Sequence, residues 1–291
     1  MNMKSKAGIL IMLMLSFSLS GCLGDRVTEA IESEDPCSAE IQVRNSDGTL
    51  KILTYDIAGF SDELIAQFVN QTGTEVEFIR TDDAGGILDQ MMLTKAAPQA
   101  DLMIGLDNTY LPTAIQNCLL IENNVSDESF TQTSLEFYRG PLAVPFDEGD
   151  VCLNYDEDAL AADNMSVPTS LWNLTEPEWN GKITFPSPMT SSPGRAFLAA
   201  TVDYFGHSPG NQSGDMAAWW TAIAQNGAIF TSGWSESYVT YYTGGYGEYM
   251  EGYIGGAYLT VSYCHSPGVE AYHADNYTHS TSLVLPRASF H

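Results

Sequence analysis

The sequence predicts an α/β protein of two lobes, a doubly wound sheet in each, with a ligand cleft between them. Three observations carry this. From Lys51 onward short β-rich runs alternate with helical segments, and parallel strands need such crossover helices. After "VPFDEG" at 144–149 the alternation starts again. The 291 residues also give length for two modest domains at roughly 150 residues each.

The elements follow in order. "KILTYDI" is the first strand, and "SDELIAQFVNQTG" the first helix, with Ser61 as N-cap, Asp62 and Glu63 in its first turn and Gly73 at its end. Leu64, Ile65, Phe68 and Val69 share one face of that helix. "EVEFIR" is a strand, "GILDQMMLTKA" a helix, "ADLMIGL" a third strand bound for a buried sheet, and "NTYLPTAIQN" a short helix. The second unit runs through "DVCLNYDEDAL" and "KITFPSP" to a helix opened by Ser192-Pro193-Gly194. Then come the helix "GDMAAWWTAIAQNG", the strand "AIFTS", a helical "SESYVTYYTGG" and the strand "GAYLTVSY". Ligands of such sheets sit beyond the C-terminal strand ends. Those are the loops 55–59, 80–86, 107–108, 187–194, 232–236 and 263–267.

Charge and the N-terminus bound the setting. Eleven Lys and Arg stand against 37 Asp and Glu, a formal net charge of −26 that repels phosphate backbones and excludes nucleic acid as a partner. Lys4 and Lys6 precede an apolar run, Ala7–Leu19, too short for a comfortable bilayer span. It ends in Leu19-Ser20-Gly21-Cys22, which resembles a lipobox. Residues 1–21 read as a lipoprotein signal peptide, Cys22 as the lipidation site, and 22–48 as an acidic tether. The expected location is extracytoplasmic, membrane-anchored. Export leaves Cys37, Cys118, Cys152 and Cys264 in an oxidising compartment with three possible connectivities. Their positions along the two lobes favour 152–264 and 37–118. No CxxC or His/Cys cluster marks a metal site.

The strand-end loops resemble the thiamine-binding branch of the ABC-importer substrate-binding proteins. The stretches that carry this are "LTYD" (53–56), "DDAGGILDQM" (82–91), "ADLMIGLDN" (100–108), "VPFDEGDVCLNYDEDAL" (144–160), "TSSPG" (190–194), "GWSESY" (233–238) and "VSYCHSP" (261–267). The resemblance implies the two-lobed type II periplasmic-binding-protein fold. It implies a protein that captures thiamine or its phosphates outside the cell and hands them to an ABC permease; a monomer that is not an enzyme and needs no cofactor is expected. From the restart of the alternation, residues 49–144 plus 263–291 are expected to form lobe 1 and 145–262 lobe 2; the resemblance implies that lobe 1 is incomplete at its C-terminus. Members of the branch carry a further aromatic after the first strand, where this chain offers Phe60.

Thiamine combines a cationic thiazolium, a flat aminopyrimidine and an arm that can carry phosphate. Trp234, Tyr263 and Tyr55 are candidate faces for the cation, with core packing as the alternative for each. Asp56, Asp83 and Glu236 are candidate counter-charges, or else helix N-terminal charges. Asp107 either meets ligand or, with Asn108, caps the next helix. Gly85, Gly86 and the helix start at Ser191–Gly194 offer N–H groups for an anion, although Ser-Pro-Gly is also an ordinary helix opening. Ser266 joins the set through "SYxxSP". Tyr241, Tyr242, Tyr246 and Tyr249 are expected to pack. Two other readings stay open. One is a thiamine-degrading transferase using Cys264 with Glu236. The other is a binding protein for ferric iron, a polyamine or another small solute, for which Tyr241–Tyr242 is the adjacent Tyr pair.

Overall fold

A computed structural model describes residue 37 and residues 41–56, 59–126, 128, 130–137, 140–207, 215–273 and 279–290. The signal peptide, Cys22 and most of the tether lie outside the described residues. The chain divides into Met1–Ala39 and Glu40–His291, and every named strand and helix belongs to the second unit.

The first sheet is wholly parallel. Strand β1 (Thr49–Tyr55) pairs with β2 (Glu75–Thr81) over seven residues and with β3 (Leu102–Met103) on its other side, in the order β2-β1-β3. Helix α1 (Asp62–Thr72) makes the first crossover. Ser61 Oγ accepts from Leu64 N–H at 3.2 Å, and Gly73 at φ 71° closes the helix with an N–H to Val69 O at 2.8 Å. Helix α2 (Ala84–Leu93) makes the second, capped by Asp83. Strand β3 is shorter than the run "ADLMIGL" predicts, and Leu102 is exposed. Gly105, at φ 106°, turns the chain away directly under the Tyr55 ring, so the strand cannot continue. Helices α3 (Leu111–Gln116) and α4 (Gln132–Phe137) complete this lobe.

The second sheet has the order β6-β5-β7-β4-β8. Its members are β4 (Val151–Asp156), β5 (Ile183–Pro186), β6 (Ile229–Thr231), β7 (Leu259–Tyr263) and β8 (Ser280–Leu283). Strand β5 runs parallel to β6 and β7, while β4 is antiparallel to β7 and β8. Helices α5 (Glu157–Ala162), α6 (Ser192–His207), α7 (Asp215–Gln225) and α8 (Ser266–His273) surround it. The core of this lobe is rich in rings: Trp179, Phe185, Phe197 and Trp219 are all buried, and Trp219 donates to Leu171 O at 2.7 Å.

The C-terminal segment departs from expectation. The sequence reading puts 263–291 with the first lobe, but β8 pairs with β4 from Leu153↔Leu283 to Asp156↔Ser280. Phe290 then exchanges both backbone hydrogen bonds with Val151, at 2.7 and 3.0 Å. The physical reason lies in β4, whose six residues are all buried. A strand so buried must have both edges hydrogen-bonded, and β7 can serve only one. Leu285 and Ala288 add their side chains to the same core. The stretch expected as an ordinary helix at 235–245 is a π-helix, Glu236–Tyr241, with Tyr242 N–H reaching back five residues to Ser237 O at 3.2 Å.

Candidate functional site

The strand ends of both lobes converge on one cavity of ≈1030 Å³. Tyr55 enters from the end of β1, Asp83 from the start of α2, Trp234 from the loop after β6 and Tyr263 from the end of β7. Each position is fixed by where a strand stops and a helix begins, so the backbone delivers these side chains to one point.

Asp83 is the hub. Its carboxylate takes the N–H of Ala84 at 2.8 Å and the N–H of Trp234 at 3.2 Å, so one side chain ties α2 of the first lobe to the β6 loop of the second. The Ser191 hydroxyl and the Ser192 N–H at the start of α6 bond to it as well. Burial raises the Asp83 pKa above the ordinary aspartate value, and these four donors oppose the rise. Asp83 is therefore the anion that sits at two helix N-termini.

This corrects the anion cradle expected from Gly85, Gly86 and Ser191. Gly85 N–H is given to Thr190 O at 2.7 Å and Gly86 N–H to Asp83 O at 2.9 Å. Neither glycine lines the cavity. Gly85 serves contact instead: a Cβ there would lie 2.7 Å from the Thr190 backbone, so only glycine lets the two lobes touch. Ser191 is fully buried and spends its hydroxyl on Asp83 and on Gly194 N–H.

Trp234 lines the cavity with its ring held from two sides. Tyr238 stacks on it at 4.8 Å and 14°, and its Nε1–H donates to Ser262 Oγ at 2.8 Å. Ser262 shares a 2.9 Å hydrogen bond with Ser266, so Ser266 positions the ring from behind as well as lining the cavity. One face of Trp234 is thus occupied by Tyr238, and a ligand can meet the other.

Glu236 does not join it. Its carboxylate turns back onto Ser232, accepting from N–H at 2.8 Å and from Oγ at 2.7 Å, and it does not line the cavity. Those bonds, the backbone one foremost, hold its pKa below the usual glutamate value. The physical reason is proximity: Ser232 is one turn away and offers two donors to a carboxylate at a helix start.

Tyr55 and Tyr263 face the same space. Burial raises both phenol pKa values, and nearby carboxylates raise them further. Asp147, Asp83 and Asp56 act on Tyr55; Asp83, Asp107 and Asp147 act on Tyr263. Asp56 is exposed at the rim and accepts from Ser235 Oγ at 3.3 Å. Asp107 does cap: Oδ1 takes Thr109 N–H and Oγ1 at 2.7 Å each and Tyr110 N–H at 3.1 Å. Its residue still lines the cavity, with Oδ2 buried and without a protein partner. Below it Arg195 of α6 lies 4.2 Å from the centroid of Tyr110, whose pKa is pushed up to about 12, chiefly by burial.

Sequence reasoning missed Asp147, Tyr238, Tyr246 and Glu270, all of which line the cavity. Asp147 stands in "VPFDEG". Tyr246 is a wall residue rather than packing, while Tyr242 is core and bonds Ser280 at 2.8 Å, and Tyr249 is exposed. The Tyr241–Tyr242 pair is absent from the lining. Among the described residues no group of His, Cys, Asp and Glu is arranged to hold a metal ion, and no helix is long and apolar enough to cross a membrane.

The cysteines bear on chemistry. Cys152 and Cys264 form the expected disulfide, with Cα atoms 5.3 Å apart. A thiamine-degrading reaction through Cys264 would need the thiol that this bond removes.

Comparison with known proteins agrees with the geometry. Residues 97–242 match the family model described as bacterial extracellular solute-binding protein. The chain is 27% identical over 208 residues to the thiamine-binding periplasmic protein of Escherichia coli K12, covering 70% of this chain and 55% of that relative. It therefore spans little more than half the length of that relative. A solved periplasmic thiamin-binding protein superposes with TM-score 0.62 at 23% identity, covering 84% of this chain and 71% of the other. Iron-bound HitA from Pseudomonas aeruginosa superposes with TM-score 0.56 at 17% identity, covering 80% and 68%. At such identities the superpositions speak to the fold, the two-lobed type II periplasmic-binding-protein architecture.

Proposed function

This chain belongs to the bacterial extracellular solute-binding protein family, and from that premise we propose that it captures thiamine or a thiamine phosphate and presents it to an ABC permease. The observation that carries the reading is the cavity wall: Trp234, Tyr55 and Tyr263 arrive from three strand ends into a space lined by nine acidic residues against Arg44 and Lys95. Flat rings supply stacking and cation–π attraction, and the surplus of carboxylates selects positive charge over negative. Arg44 is engaged by Asp101 at 2.7 Å, which leaves the field in the cavity strongly negative. Its volume lies at the upper end of ordinary small-molecule sites, with room for a two-ring ligand and its arm.

A negative cavity favours the free vitamin over its diphosphate, since each added phosphate brings repulsion from the same carboxylates. Polyamine binding is the second reading, favoured by that surplus of acid alone. Calorimetric titration of the full chain with thiamine, its mono- and diphosphate, spermidine and ferric ion separates these. The expected order is thiamine, then the monophosphate, then the diphosphate. Spermidine or iron binding in its place, with no heat from thiamine, would overturn the reading. The lipid anchor at Cys22 belongs to the same proposal and rests on the lipobox-like sequence before it.

A further inference from the structure

Glu270 is buried, with 6% of its surface exposed, yet it lines the cavity. It lies one helical turn beyond Ser266 on α8, so the two share a face, and both are buried, while Val269 lines the cavity half-exposed and Tyr272 points to solvent. Its surroundings are rings. A Cβ placed on Gly245 would lie 2.7 Å from Tyr238 Cε1 and 3.3 Å from Glu270 Oε1, so the carboxylate stands at the edge of the Tyr238 ring. Tyr238 carries Trp234 on one side at 4.8 Å and has Tyr246 at 6.1 Å. Trp234, Ser235, Tyr238, Tyr246 and Asp56 line the cavity with it.

The electrostatics agree with this geometry. Burial is the main cause of the raised phenol pKa values of Tyr238, Tyr242 and Tyr246, and Glu270 adds to each; Asp56 adds to the last. One negative field covers the whole aromatic group. Arg80 donates to the carbonyl oxygens of Tyr55 and Asp56 at 3.1 and 3.0 Å and does not line the cavity.

We propose that Glu270, beside the stacked Trp234–Tyr238 pair and Tyr246, is the counter-charge of a subsite for an organic cation on the open face of Trp234, and the residue that makes the cavity select a positively charged ring or quaternary ammonium. It takes the part that the sequence assigns to Glu236. Two physical terms act together there. The ring faces attract the cation, the carboxylate sits where little water screens it, and no proton on the ligand is needed for either. A primary amine would have to leave its hydration shell for a site whose walls are mostly π-faces; a permanent, weakly hydrated cation loses far less. For thiamine this puts the thiazolium on the open face of Trp234, in the field of Glu270, and leaves the aminopyrimidine toward Tyr55 and Tyr263. The assignment rests on the reading of the cavity as a ligand site.

The test compares the full-length wild type with Glu270→Gln and Glu236→Gln, each checked for folding by circular dichroism. Thiamine and choline are the cationic probes and thiochrome, the uncharged oxidation product of thiamine, the neutral one. Glu270→Gln is expected to weaken thiamine and choline by about tenfold to a hundredfold while thiochrome changes less than about threefold. Glu236→Gln is expected to leave all three alone. Should Glu270→Gln fail to fold, Tyr246→Leu removes one exposed wall and is expected to weaken choline several-fold. Thiamine binding that Glu270→Gln and Tyr246→Leu leave intact, or equal losses for thiochrome and thiamine, would overturn the subsite while the thiamine reading stands. Choline binding that depends on Glu270 in a protein that ignores thiamine would uphold the subsite and sink the thiamine reading. A wild type that binds neither cation sinks both.

Discussion

Trp234→Ala is the perturbation that separates a binding wall from a packing ring. Tyr238 covers one face of the indole at 4.8 Å, and Nε1–H is held by Ser262 at 2.8 Å. Truncation therefore costs structure as well as binding, and the two losses can be sized. The stacked pair contributes about 0.5–1.5 kcal/mol. The hydrogen bond contributes about 1 kcal/mol, and Ser262 keeps Ser266 as a partner, so no orphaned group inflates the loss. With lost apolar contact the cost to folding comes to about 2–4 kcal/mol, or a fall in melting temperature on the order of 10 °C for a body of this size. The binding loss is separate. With only one face open to ligand, a single cation–π and stacking contact is removed, about 1–3 kcal/mol, or roughly tenfold to a hundredfold in Kd. Calorimetry on the folded variant, below its melting temperature, reads the second number free of the first. Trp234→Phe keeps a ring for Tyr238 and is expected to fall between wild type and alanine. A folded Trp234→Ala protein that binds thiamine at wild-type strength refutes the wall assignment, whatever its stability.

Three further outcomes are expected. Glu236→Gln leaves ligand affinity unchanged, because the carboxylate faces Ser232. Its folded pKa lies below the ordinary value, so its contribution to stability is present above the unfolded pKa and lost as pH falls through the folded one. The gap in melting temperature between wild type and Glu236→Gln should close on acidification; a gap that widens contradicts the Ser232 contact. Gly85→Ala drives a methyl to within 2.7 Å of the Thr190 backbone, and denaturant unfolding should register a loss of about 1–3 kcal/mol; a neutral result would mean that the lobes do not meet there. Cys22→Ser should move the protein from the membrane fraction to the soluble one, and identical partitioning of both forms excludes the lipid anchor.

Local chemistry made the first lobe legible in the sequence. Ser61, Gly73 and Asp83 are caps whose side chains or φ angles do what their types dictate, and the run from β1 to α2 follows. The convergence of Tyr55, Asp83, Trp234 and Tyr263 was legible too, because strand ends of parallel α/β sheets share one side. What escaped depends on contacts distant in sequence. "STSL" carries little strand signal; it becomes β8 because the buried β4 needs a partner on its second edge. Glu236 looked like a counter-charge because it follows Trp234 by two residues, but Ser232 lies one turn back and captures it. Glu270 gave no motif signal, and its role follows from sharing a helix face with Ser266, visible once α8 is docked. Gly85 and Gly86 resembled a phosphate cradle, and only the approach of Thr190 reveals where those N–H groups go.

The central claim is that the open face of Trp234 receives the cationic ring of thiamine, with Glu270 of the same cavity as its counter-charge. A crystal structure of the full chain grown with thiamine tests it most directly. The expected result is the thiazolium within about 6 Å of the Trp234 ring centroid, on the side away from Tyr238, with the aminopyrimidine toward Tyr55 and Tyr263. Thiamine seated elsewhere, with that face of Trp234 bare, would contradict it.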